Sequence, residues 1–188
     1  SRNADVMQRH PRVSANAYNI WHLITWQTDL YHTSDRQSWL GLRYFDWGLG
    51  LFFTLSGIAL FPLLKKAVQC FRKGEIVHSP RFRELVFLTA AAVALIFFYC
   101  PTQMHERYAH PALVFLSVYS ALSGKWIGYL WVSVFYLFNL EAVLQAWQWD
   151  HYGILLFDPR LVATGFGIAI LGIVFRIYRI ADETANIR

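Results

Sequence analysis

Leu85-Val86-Phe87-Leu88-Thr89-Ala90-Ala91-Ala92-Val93-Ala94-Leu95-Ile96-Phe97-Phe98-Tyr99-Cys100 is a run of sixteen residues without a single charge. A helix crossing a bilayer needs about 20 mostly apolar residues, and this stretch with its flanks meets that requirement. Comparable runs recur at Trp47–Leu64, Pro111–Leu122, Trp126–Leu144 and Leu161–Ile177. Pro111–Leu122 is short and joins the next run through the tight turn Ser123-Gly124-Lys125. The whole chain of 188 residues is 56% hydrophobic and 18% aromatic, with 15% charged residues, against about 25% charged in a typical soluble domain. The pattern predicts an all-α integral membrane helical bundle. It has about five transmembrane helices plus an N-terminal interfacial amphipathic helix. Residues 1–46 form an outer-face interfacial region, residues 47–180 the five-span bundle, and residues 181–188 a cytoplasmic tail.

Orientation follows from the basic residues, which accumulate on the cytoplasmic side of membrane proteins. Lys65, Lys66, Arg72, Lys73, Arg81 and Arg83 follow the first span. Lys125 sits in the third-to-fourth turn, and Arg176, Arg179 and Arg188 lie at the C-terminal end. With five spans all of them fall on one side. That side carries ten basic and four acidic residues (Glu75, Glu84, Asp182, Glu183), a net +6, while the other side carries seven basic and eight acidic residues, a net −1. The formal charge of +5 is thus a membrane asymmetry and not a nucleic-acid footprint, and nucleic acid is not an expected partner. The membrane is of inner, plasma or ER type, with the C-terminus cytoplasmic and six of the seven histidines outside. Cys70 and Cys100 fall at opposite faces and should not pair. The chain opens at Ser1 without a basic-then-apolar signal segment, which reads as the C-terminal part of a longer polypeptide.

Between the second and third runs lies Gln103-Met104-His105-Glu106-Arg107-Tyr108-Ala109-His110. Charge wedged between apolar spans is costly, at roughly 2.5–3.5 kcal/mol per charged side chain at a helix centre. Such residues belong at a rim or in a polar cavity and are functional candidates. Arg107 offers a planar, permanently charged fork suited to phosphate. His105 or Glu106 can handle protons near neutral pH if tuned, and these two are the catalytic candidates. Tyr108 adds a hydroxyl and an aromatic face, and with Arg107 and His110 forms the expected donor-phosphate or substrate-binding set. Pro101 and Pro111 bracket the segment. The competing reading is a helix-start ion pair between Glu106 and Arg107. His105 and His110 are five residues apart, which is not a same-face helical pair, and no metal is assigned to them.

Other outer segments are weaker. Ala17, Ile20, Trp21 and Ile24 recur at helical spacing and suggest the amphipathic helix, with Trp21 and Trp26 at headgroup level. Asn16 and Asn19, three residues apart, could aim amides at a polar ligand. Tyr31–Gln37 reads as a solvated loop, Asp46 as a helix cap, and Trp147–Gly153 as an aromatic belt with the pair Asp150–His151. Glu141, with Asn139, is placed to meet Arg107 or Arg160. Gly165 and Ala169 form a small-xxx-small pair suited to close helix contact.

Met104-His105-Glu106-Arg107-Tyr108, followed by an apolar span opening Pro111-Ala112-Leu113, resembles the C-terminal half of GT-C fold glycosyltransferases, the polyprenyl-phosphate-dependent enzymes of lipid-linked and protein glycosylation. Val13-Ser14-Ala15-Asn16-Ala17-Tyr18-Asn19-Ile20-Trp21 resembles the segment that precedes the His-Glu-Arg motif in that group. The resemblance covers about residues 11–125. It implies an inverting transfer of a sugar from a polyprenyl-phosphate donor, a substrate and not a cofactor, to an acceptor at the outer face. It implies that Arg107 and His105 contact the donor phosphate, that Glu106 orders that site, and that Asn16 and Asn19 lie near the same cavity. The family's catalytic acid sits in an early external loop that has no counterpart here. The chain is then a hexosyltransferase only if a longer polypeptide supplies that loop. Expected partners are membrane lipids, the polyprenyl-phosphate sugar, and other membrane subunits or the missing N-terminal half. The alternatives are a non-catalytic assembly subunit and a lipid-phosphate binding module.

Overall fold

A computed structural model describes residues 12–25, 29–73, 79–149 and 153–183. Trp26, Glu75, Asp150, His151, Tyr152 and Arg188, all used in the reading above, lie outside the described residues. Among the described residues six helices and one small hairpin follow in order: α1 (Trp21–Ile24), β1 (Ser38–Trp39), β2 (Leu42–Arg43), α2 (Tyr44–Lys73), α3 (Pro80–Tyr99), α4 (His110–Ser123), α5 (Ile127–Leu144) and α6 (Pro159–Glu183). Single 3₁₀ turns, Glu106–Ala109 and Leu155–Phe157, lead into α4 and α6. Four of the helices, α2, α3, α5 and α6, are long and apolar enough to cross a membrane.

The helices differ from the sequence reading in their ends. The first runs thirty residues, well beyond Leu64, so Lys65, Lys66 and Arg72 lie on a helix and not in a loop. Pro62 sits inside it. The second begins at Pro80 and not Leu85, because Ser79 accepts a hydrogen bond from Phe82 N and Pro80 occupies the first turn, a position where a missing N–H costs nothing. Arg81, Arg83 and Glu84 thereby become part of α3. Helix α4 is fourteen residues long, about 21 Å, and falls short of the length of a full span. It begins only after the 3₁₀ turn, with a proline in its first turn, and ends at Gly124, whose φ of 71° makes a left-handed cap.

Helix α3 is the hub. It packs most extensively on α4, then on α6 and α2, and Leu85, Leu88, Ala91, Ala92, Leu95 and Ile96 are buried along it. Phe98 meets Phe166 of α6 edge-on at 5.0 Å. Gly165 does serve close packing, but through a ring and not through backbone approach. A Cβ there would collide with Phe135 of α5, and Trp131 Nε1 donates to the Gly165 carbonyl at 2.9 Å. Two ends result. The starts of α2, α4 and α6 and the ends of α3 and α5 form one, called here the site end. The other carries Arg81, Lys125, Arg176 and Arg179 and is called the basic end. Cys70 and Cys100 are free and buried, one toward each end.

The N-terminal segment caps the site end as an extended strap. The amphipathic helix shrinks to the single turn Trp21–Ile24, because the donors a longer helix would use are taken elsewhere. Tyr18 N donates to Asn139 Oδ1 at 3.1 Å and Ile20 N to the Tyr99 carbonyl at 3.2 Å. Trp21 is fully buried and its Nε1 donates to the Cys100 carbonyl at 2.9 Å, so it is a core residue and not a headgroup anchor. With Val13, Leu30 and Tyr44 it forms a second small core, against which Trp39 and Trp47 pack. Asp46 does not cap α2. It lies in the first turn, where an acid suits the helix dipole, and holds Arg43 with a two-pronged contact at 2.7 and 2.9 Å.

Candidate functional site

The 3₁₀ turn Glu106–Ala109 divides its own side chains between two sides of the site end. Arg107 and Tyr108 are exposed, as is His110 one residue on. All three line the mouth of an apolar groove of about 810 Å³ between α2, α3 and α4. Phe52 and Leu63 of α2, Val86 and Phe97 of α3, and Phe115 of α4 are among its walls. Val86 to Phe97 is eleven residues of helix, so the groove runs roughly 16 Å along the bundle. Ala90 and Ala94 keep its floor low, and Thr89 Oγ1, also in the lining, is buried without a hydrogen-bond partner. The groove is apolar along its length and carries a permanent cation at its mouth. Among the described residues Arg107 has no carboxylate partner, so the competing reading of a Glu106–Arg107 ion pair is not met.

Glu106 turns the other way. Its carboxylate is only 15% exposed, with Oε2 at 4.0 Å from His105 Nδ1, and that oxygen is buried without a hydrogen-bond partner. It stands within electrostatic range of the Tyr136 hydroxyl of α5. Tyr136 in turn meets His110 Nδ1 at 3.4 Å. His105 lies edge-on to Tyr108, with ring centroids 5.6 Å apart. The turn and the first residue of α4 therefore present a cation and two rings to the groove, and the turn holds an orphaned carboxylate oxygen beside a histidine on its inner side. A buried acceptor left unpaired costs about 1–3 kcal/mol, so this oxygen calls for a partner that the fold does not supply.

Tyr108 also borders a smaller, more polar pocket of about 400 Å³, with Phe45, Thr102, Gln103 and Met104. Here the sequence reading of Tyr31–Gln37 as a solvated loop fails at Asp35. That residue is 2% exposed, and its Oδ2 accepts from Thr102 Oγ1 at 3.0 Å and from Gln103 Nε2 at 2.7 Å. Gln103 has a φ of 61°, a conformation that non-glycine residues rarely take. Asp35 pins the strained corner that shapes the pocket wall. A lone aspartate in a polar heptapeptide carries no signal of this; only its partners, 67 and 68 residues away, reveal it.

Asn16 and Asn19 do not reach the groove. Asn19 is fully buried, and its amide is spent on the Pro101 carbonyl at 3.5 Å and on Trp21 N at 3.3 Å. Asn16 has a φ of 75°, and its contact to the bundle is its carbonyl, which accepts from Asn139 Nδ2 at 3.0 Å. Both are fold-holding residues, and Asn139 is the clamp that grips the strap from both sides of Ala17. Glu141 accepts from Trp147 N at 2.8 Å. Below the strap, Tyr18 and His22 lie edge-on, 5.3 Å apart, near Asp158 and Arg160. Burial pushes the His22 imidazole down to about 4, and burial, helped by Asp158, pushes the Tyr18 phenol up. Both side chains are therefore neutral at pH 7.

Among the described residues no three His, Cys, Asp or Glu side chains stand close enough together to hold a metal ion. Compared with known proteins, the chain matches no family model, no curated protein and no solved structure.

Proposed function

We propose that this chain is the C-terminal, donor-binding part of a membrane glycosyltransferase that uses a polyprenyl-phosphate sugar. In this reading five segments, the short α4 included, traverse the bilayer. The site end faces the periplasm or lumen and the basic end faces the cytoplasm. The observation that carries the reading is the apolar groove between α2, α3 and α4 with Arg107 at its mouth. A polyprenyl chain lies along Phe97, Ala94 and Ala90. Its phosphate meets Arg107 and His110, with His105 near through Tyr108. The polar pocket on the other side of Tyr108 is where a sugar head extends.

The chemistry follows from that arrangement. An acceptor hydroxyl oxygen bonds to the sugar C1 as the C1–O bond to phosphate breaks, and the bonding pair leaves on the phosphate oxygen. The hydroxyl proton goes to an acidic external loop of the longer polypeptide. Fixed positive charge at Arg107 stabilises the phosphate as its charge grows. Glu106, with its unpaired oxygen, accepts a hydrogen bond from the ligand or orders His105.

A second reading rests on a different observation. Only 22% of the apolar window of α2 and 17% of that of α5 is buried within the bundle, which supports contact with other membrane subunits and a structural or lipid-phosphate-binding role without catalysis. The deciding experiment places the chain, and the full reading frame, in proteoliposomes with a polyprenyl-phosphate sugar. Binding by the chain, transfer by the full frame, and loss of both in Arg107→Ala, by roughly a hundredfold in transfer, support the glycosyltransferase. Binding without transfer in the full frame supports the lipid-phosphate module. Unchanged binding and transfer in Arg107→Ala overturns the donor-site role.

A further inference from the structure

A second groove, separate from the one at the site end, opens at the basic end. It holds about 340 Å³ between α4, α5 and α6. Leu116, Ile127, Trp131 and Ile168 line it, and Gly128 and Gly172 leave its walls low. A Cβ built on either glycine would meet nothing within 4 Å, so the space is open and not a packing fault. Lys125 and Arg176 also line it.

Arg176 is an unusual residue for this place. It is the eighteenth residue of α6, roughly 26 Å along the helix, and its side chain is only 18% exposed. Its Nε donates to the Tyr119 hydroxyl at 3.4 Å, and Nη1 stands 3.5 Å from Glu183 Oε1. Nη2 is buried with no hydrogen-bond partner. The acids nearby do not absorb the charge. Glu183 is shared with Arg179 Nε at 3.3 Å, and Glu84, within electrostatic range of Arg176, is held by Arg81 Nη1 at 3.0 Å. A guanidinium with an unspent, desolvated N–H beside a lysine, at the head of an apolar groove, complements one chemistry: an anion joined to a hydrocarbon chain.

We propose that this groove holds an acyl chain of an anionic phospholipid from the leaflet on the basic side, with its phosphate on Arg176 and Lys125. The site rests on the membrane reading of the helices and is independent of sugar transfer. The anionic surface of a cytoplasmic leaflet attracts such cations, and the Nη2 proton gains its missing acceptor. Among the described residues the phosphate would face Glu183 and Glu84 as repulsive neighbours, with Arg179 and Arg81 offsetting them.

The test reconstitutes the chain in nanodiscs of mixed phosphatidylglycerol and phosphatidylcholine, then extracts it and identifies the retained lipid by native mass spectrometry. Wild type should keep phosphatidylglycerol over phosphatidylcholine. Lys125→Ala, an exposed position, should lower retention about fivefold. Gly172→Leu, which fills the groove and spares both cations, should lower it at least as much. Polyprenyl-phosphate binding at the other end should be unmoved by either change. Equal retention of the two lipids overturns the site, and so does displacement of phosphatidylglycerol by millimolar inorganic phosphate. If both variants keep phosphatidylglycerol while Arg107→Ala still loses polyprenyl phosphate, this groove falls and the other stands.

Discussion

The Tyr178 hydroxyl of α6 donates to the Ile58 carbonyl of α2 at 3.1 Å, the very carbonyl that Pro62 leaves without its helical donor. Proline lacks an N–H, so the acceptor four residues before it is orphaned. In an apolar bundle that orphan has no water to turn to. One phenol therefore ties the long first helix to the last and makes the proline tolerable. Tyr178→Phe should destabilise the bundle by about 1–2 kcal/mol, read as a lower midpoint of thermal unfolding in detergent. Restoring the backbone donor with Pro62→Ala in the Tyr178→Phe background should recover most of the loss. Recovery absent from that double variant would show that the hydroxyl acts otherwise.

Asp35 makes a different claim. Its two charge-assisted hydrogen bonds, to Thr102 and Gln103, hold the corner behind Tyr108. Asp35→Ala should cost about 2–3 kcal/mol and loosen the Pro101–Met104 wall, whereas Asp35→Asn, which keeps one oxygen, should cost less. Hydrogen exchange at the Gln103 and Met104 amides reports the wall directly. Exchange in Asp35→Ala no faster than in wild type would assign Asp35 to the surface after all.

Much of this architecture was legible because a hydrophobic run has few alternatives. Leu85–Cys100 reads as a helix apolar enough to cross a membrane by composition alone, and Gly124 ends α4 where the sequence puts a turn. Ends and irregular backbone were less legible. The start of α3 at Pro80 depends on a Ser-Pro cap set beside the charged residues Arg81, Arg83 and Glu84, and the strap Val13–Trp21 mimics helical spacing while its N–H groups go to Asn139 and Tyr99. The candidate site divides the same way. Arg107, Tyr108 and His110 share the groove mouth, as adjacent residues around one turn can. The groove itself comes from Phe52, Ala90, Phe97 and Phe115, which carry no chemical signature, and Asp35 is defined by partners distant in the chain.

The His22 environment has a pH signature. Its pKa falls from the ordinary 6.5 to about 4 through burial, with Arg160 adding to the depression and Asp158 and the Ala17 carbonyl opposing it. Above pH 6.5 neither the folded nor the unfolded chain binds the proton. As pH falls below 6.5 the unfolded chain takes it up and the folded chain does not, until about pH 4. Stability is therefore full above pH 6.5 and is lost between 6.5 and 4, at no more than about 1.4 kcal/mol per pH unit. The unfolding midpoint of wild type should drop across that window, and His22→Gln should flatten the drop. An equal slope in both proteins would place the titration elsewhere.

The groove at the site end can be closed without touching any polar group. Ala94 lines it beside Phe97 and is only half-buried, so a larger side chain there projects into open space and not into the packed face of α3. Ala94→Phe should leave the unfolding midpoint within about 0.5 kcal/mol of wild type, as expected for a change outside the core. It should weaken binding of a long-chain polyprenyl phosphate about tenfold, since displacing two buried methylenes removes roughly 1.4–1.6 kcal/mol. A phosphate carrying a chain of only a few carbons never reaches Ala94 and should bind both proteins alike, at a level set by Arg107. The chain-length dependence is the discriminating readout. A uniform loss for short and long ligands would mean that the substitution disturbs the Arg107 mouth, and no loss for either would remove the groove from the binding path.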